Sequence, residues 1–87
     1  MQKSNKVWII DDDRSIRWVL EKALQQAHIE TRLFESVDSA MSQLNRDAPD
    51  AIISDIRMPG TDGLTLLGNL HATHPQIPII IMTAHSD

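Results

Sequence analysis

The stretch KVWIIDDDRS, residues 6–15, sets four apolar residues directly against three consecutive aspartates. The apolar run has the length of a buried strand, and Ile16, Val19, Leu20, Ala23, Leu24 and Ala27 then recur at helical spacing. Adjacent carboxylates disfavour one another's ionisation, so this strand end is costly unless solvent, a helix N-terminus or a bound cation offsets the charge. The residues that follow decide which of these applies.

Outward from this unit the same alternation repeats. ETRLF (30–34) alternates as a strand does. Ser36 is placed to cap a second helix, with Asp38 in its first turn and Val37, Ala40, Met41 and Leu44 as its apolar stripe. AIIS (51–54) reads as a third strand, and Leu64, Leu67 and Leu70 mark a third helix that ends near His74, because Pro75 follows. IPIIIMT (77–83) is a fourth strand. The order is β-α-β-α-β-α-β. Strands 1, 3 and 4 are apolar on both faces, which suits a parallel sheet covered by helices on each side. With right-handed crossovers this is a doubly wound α/β sheet. The sequence stops at AHSD, directly after its most hydrophobic strand, with no further helix to cover it and no fifth strand to pair with it. The expectation is that residues 1–87 are one domain lacking its C-terminal part.

The chain has 87 residues, enough for one modest core. Its apolar share of 41% is that of a globular protein. No apolar run approaches the roughly 20 residues of a membrane span, and MQKSNK leads into no signal-peptide core. Without cysteine there is neither a disulfide scaffold nor a thiolate metal site. These features fit a cytoplasmic protein. A formal net charge of −4 is the opposite of a nucleic-acid footprint, so these residues are not expected to hold DNA themselves.

The chemistry gathers at one edge of the sheet. Parallel strands present their C-terminal ends together, and ligands bind there at the point where the strand order reverses. Strand 1 ends in Asp11, Asp12 and Asp13, and strand 3 in Asp55. Two carboxylates about 4 Å apart repel by roughly 4 kcal/mol at an effective dielectric of 20. A hard divalent cation reverses that balance, and Mg²⁺ takes oxygen ligands while keeping waters that a phosphoryl oxygen can replace. Asp11, Asp12 and Asp55 are therefore the candidate Mg²⁺ site, and Asp13 the best candidate for the helix cap. In SDIRMPGTDG (54–63), Pro59 holds Met58 extended and the glycines give turn freedom beside Asp55. Thr83 ends strand 4 at the same edge, where its hydroxyl can reach a phosphoryl group on Asp55. His71 and His74 stand at metal-compatible spacing, but with no third ligand they read as solvated side chains. Trp18 lies beside the helix 1 stripe, where such a residue leans on the core edge or marks a partner surface, the first being the commoner role.

IIDDDRSIRWVL, SDIRMPGTDG and PIIIMTAHSD together resemble the receiver domain of bacterial two-component response regulators over the whole chain. Within that family the wording is nearest to activators of nitrogen-regulated genes. The resemblance implies a flavodoxin-like, CheY-like receiver fold, truncated here after the fourth strand. It implies that Asp55 accepts a phosphoryl group from a sensor histidine kinase, and that Asp11 and Asp12 hold Mg²⁺ with Asp55 and the backbone carbonyl of Arg57. It also implies that Thr83 is the switch hydroxyl. The whole protein would be a cytoplasmic activator, dimeric through its receiver or later modules. Those modules, an ATPase acting on sigma-54 RNA polymerase and a DNA-binding unit, are not in these residues. Receivers also carry a lysine at the end of a fifth strand. The lysines here are Lys3, Lys6 and Lys22, and Lys6, at the start of strand 1, is roughly 15 Å from the pocket.

Two other classes compete. A Mg²⁺-dependent phosphohydrolase with its nucleophile after strand 1 would use Asp11 and Asp13 as a D-x-D pair, but it gives no reason for the aspartate before IRMPG. A flavin-binding module of similar topology needs a phosphate cradle after strand 1, where three aspartates repel phosphate.

Overall fold

The computed structural model describes residues 5–44, 46–55 and 63–82. Within them lie β1 (Lys6–Ile10), α1 (Arg14–Gln26), β2 (Glu30–Phe34), α2 (Val37–Met41), β3 (Ala51–Asp55), α3 (Gly63–Thr73) and β4 (Ile79–Met82). The four strands form one parallel sheet in the order β2-β1-β3-β4. The strand order reverses between β1 and β3, so the ends of these two strands, Ile10 and Asp55, meet at the switch point. This is the doubly wound arrangement that the alternating pattern predicts.

Register sorts the strand side chains into two faces. Trp8, Ile10, Ile52 and Phe34 pack with Val37, Ala40 and Leu44 from the α2 region and with Leu67 and Leu70 of α3. The Trp8 and Phe34 rings stand 4.7 Å apart in a tilted pair, a favoured aromatic geometry. On the opposite face, register aligns Leu33, Ile9, Ile53 and Ile80, and α1 packs against β1 and β2. Ile9 is fully buried there.

Several local readings need correction. In α1 no side chain is fully buried. Ile16, Leu20 and Leu24 are half-buried, whereas Val19, Ala23 and Ala27 are exposed. The half-buried stripe of α1 continues from Ile16, Leu20 and Leu24 onto Arg17 and Glu21 on one side, while Val19 and Ala23 lie on its other side. Trp18 is 57% exposed, not seated at the core edge, and Lys22 Nζ stands 5.6 Å from its ring centre. The second helix is only five residues long, and Leu44 reaches the core from the turn beyond it. The fourth strand begins at Ile79, not Ile77. Pro78 has no N–H to give to a ladder, although its carbonyl accepts from Ile52 N. Ile77 is buried ahead of the strand. On β4, Ile80 and Ile81 are 54% and 44% exposed on opposite faces.

Candidate functional site

β1 delivers Asp11 and β3 delivers Asp55 to the same sheet edge, and Asp12 follows in the β1–α1 turn. One carboxylate oxygen from each of Asp11, Asp12 and Asp55 lies within 4.8 Å of the other two. Asp11 is 1% exposed and Asp55 8%, while Asp12 faces solvent. The three carboxylates expected to converge do converge. Arg57 and the rest of the IRMPGTD loop, Thr83 and His85 lie outside the described residues.

The turn is held by hydrogen bonds that separate the aspartates by task. Asp11 N donates to Phe34 O at 3.0 Å, and Asp11 Oδ1 accepts from Asp13 N at 2.8 Å. Asp13 Oδ1 accepts from Ser15 N and Ile16 N, at 2.8 and 3.4 Å, and so caps α1. Asp13 is thereby committed to the helix, as expected, and the D-x-D pair of the hydrolase reading loses its second carboxylate. Arg17 Nη1 donates to the Asp11 carbonyl, a contact the sequence reading missed. Its only signal was a cation six residues after Asp11, on the turn that follows the cap.

Asp11 Oδ2 is buried with no hydrogen-bond partner among the described residues. An unpaired carboxylate oxygen in such a place is costly. Burial pushes the Asp11 carboxyl above the usual carboxylate range. The Asp13 amide opposes this, and the charges of Asp55, Asp12 and Asp13 reinforce it. A hard cation suits this donor set: all donors are oxygens, two of the three carboxylates are buried, and one buried oxygen has no other use. His71 and His74 do not join it, and His74 Nδ1 instead meets Thr73 Oγ1 at 2.9 Å.

Residues 7–87 match the response regulator receiver domain, and the chain belongs to that family. The chain is 55% identical to the DNA-binding transcriptional regulator NtrC of Klebsiella pneumoniae over 80 residues, 92% of this chain and 17% of that protein. It spans less than a fifth of the length of that relative. Among solved structures, the apo receiver domain of nitrogen regulatory protein C superposes with a TM-score of 0.85 at 52% identity, covering all of this chain and 69% of that one. A chain of the solved complex between histidine kinase ThkA and response regulator TrrA of Thermotoga maritima gives a TM-score of 0.85 at 30% identity, covering 95% of this chain and 72% of that one. The chain is thus a regulatory receiver with a phosphoacceptor role in two-component signalling. These matches give no support to the phosphohydrolase or flavin alternatives.

Proposed function

We propose that Asp55 is the phosphoacceptor of this receiver and that Mg²⁺ is held by Asp11, Asp12 and Asp55, with the Arg57 carbonyl as a further ligand. What supports the reading is the three-carboxylate cluster, with its buried and unpartnered Asp11 Oδ2. When bound, the cation neutralises charge on the transferring phosphoryl oxygens. A carboxylate oxygen of Asp55 attacks phosphorus in line, the bond from phosphorus to the donor group breaks, and an acyl phosphate remains on Asp55. Asp11 and Asp12 carry the negative charge that fixes the cation, and Asp13 holds the turn that presents them. Thr83 serves as the switch hydroxyl that answers the new phosphoryl group.

The donor is a sensor histidine kinase, in keeping with the kinase–regulator complex among the structural relatives. The whole protein acts in the cytoplasm as a transcription activator of nitrogen-regulated genes, a reading supported by the identity to NtrC. Its dimerisation, its ATP-dependent action on sigma-54 RNA polymerase and its DNA binding belong to that larger reading. The direct test is labelling by acetyl phosphate with and without Mg²⁺, in the natural reading frame. Wild-type protein should label only with Mg²⁺ and Asp55→Asn should not label, because an amide is no nucleophile for this transfer. Full labelling of Asp55→Asn would remove Asp55 from the role. Thr83→Ala should still label but lose the downstream response.

A further inference from the structure

We infer that Arg17 is a positioning residue for the acidic pocket: its guanidinium, reaching back from α1 to the Asp11 carbonyl, sets the turn on which Asp11 and Asp12 are presented. The inference rests on the Mg²⁺ reading of the pocket and adds a residue to it. Arg17 lies in the first half of α1. The structure makes it half-buried, with Nη1 on Asp11 O.

Three groups fix Asp11. Its amide is fixed to Phe34 O on β2, and its Oδ1 is fixed by the Asp13 amide. Its carbonyl is fixed by Arg17. That leaves Oδ2 as the single polar atom of Asp11 without a partner among the described residues. Of the three anchoring groups, two belong to the backbone, the Phe34 carbonyl and the Asp13 amide. The third exists only because residue 17 is an arginine. The Asp11 carbonyl belongs to the peptide group that leads into Asp12, so holding this oxygen fixes the plane from which the exposed Asp12 carboxylate departs. Asp12 has no other described contact to orient it. A guanidinium also brings a fixed positive charge beside a turn carrying three aspartates, where a neutral donor would bring none.

Groups that orient metal ligands are sensitive positions, and their loss typically costs about 10- to 100-fold in metal affinity or activity. In the natural reading frame, Arg17→Ala should weaken Mg²⁺ binding, followed by tryptophan fluorescence, by about tenfold. The Mg²⁺ concentration needed for half-maximal labelling by acetyl phosphate should rise in parallel. Arg17→Lys, which keeps the charge but loses the planar fork, should fall between. Lys6→Ala is the control. Lys6 pairs with Asp47 and Glu30 at the opposite end of β1, so its loss should lower the melting temperature and leave Mg²⁺ affinity unchanged. Amide hydrogen exchange at Asp12 and Asp13, measured without metal, should accelerate in Arg17→Ala and not in Lys6→Ala. Unchanged exchange in Arg17→Ala overturns the positioning role whatever the metal does. Equal Mg²⁺ affinity in Arg17→Ala and wild type overturns it as well. No Mg²⁺ binding by the wild type, with faster exchange in Arg17→Ala, overturns the metal reading of the pocket instead and takes with it Arg17's role toward the cation.

Discussion

The backbone amide of Asp13 donates to Oδ1 of Asp11 at 2.8 Å, so two neighbouring aspartates serve the pocket in unlike ways. Asp11 offers a side chain to the site. Asp13 offers its backbone to Asp11 and its side chain to the first turn of α1. Replacing the Asp13 side chain leaves its amide, and hence the hold on Asp11, in place.

Asp13→Ala should therefore cost about 1 kcal/mol of stability, the usual value of a helix cap, and change Mg²⁺ affinity little. Asp12→Ala should do the reverse: a large loss of Mg²⁺ affinity with nearly unchanged stability, since Asp12 is exposed. Denaturant titration and Mg²⁺ titration of the two variants check the ranking. An inverted order would mean that the metal uses a different pair of aspartates.

The buried Asp11 carboxyl predicts a pH dependence of the metal-free protein. Its folded-state pKa lies above the ordinary value of 3.8, chiefly through burial. Between the two values the folded state therefore binds more protons than the unfolded state, and this contribution to stability is lost as pH rises through the raised pKa. Asp11→Asn removes the charge and keeps an oxygen for the Asp13 amide. The variant should be more stable than wild type at pH 7 without metal, and the gap should close as the pH approaches 4. Saturating Mg²⁺ should reverse the ranking at pH 7. Melting curves of both proteins across that range, with Mg²⁺ and with a chelator, test each sign.

Much of this arrangement is legible in the sequence. Alternating apolar runs and helical stripes give the strand and helix order, and that order brings the ends of strands 1 and 3 together. What cannot be read is the side-chain traffic at the edges. Periodicity assigns Val19 and Ala23 to the buried stripe of α1, but the line of contact with β1 and β2 runs through Ile16, Leu20 and Leu24. Nothing in the spacing of polar residues distinguishes Arg17 from a solvated arginine, because its partner is a backbone carbonyl. The start of β4 is misread because Ile77 has strand character but precedes a proline with no hydrogen to share.

Two backbone positions invite opposite substitutions. His28 has φ of 62°, in the left-handed region that a side chain occupies at a cost. It closes α1 with His28 N on Gln25 O and Ile29 N on Leu24 O, a terminus that usually carries glycine. Gly68 lies within α3, and a Cβ built there meets nothing within 4 Å. His28→Gly should thus stabilise by about 1 kcal/mol, and Gly68→Ala by about 0.5–1 kcal/mol. One position lies just beyond α1 and the other within α3, so their effects should add. Thermal or urea melts of the single and double variants decide this, and destabilisation by Gly68→Ala would show that the open space beside α3 is in use.

The remaining prediction concerns residues 1–87 expressed on their own. Ile80 and Ile81 are 54% and 44% exposed on opposite faces of β4, which forms one edge of the described sheet. Full burial of such a side chain is worth roughly 1.5–3 kcal/mol, against a net stability of about 5–15 kcal/mol for a typical domain. Leaving two of them in water removes a large part of that margin, and an unpaired apolar strand edge is a template for association. The isolated 87 residues should sediment as a concentration-dependent mixture and melt broadly. Ile80→Lys should reduce the association by placing a charge on the edge strand, without touching the face that packs on Leu67 and Leu70. A sharp two-state melt from a monodisperse wild-type monomer would show that the exposed isoleucines cost far less than their area implies.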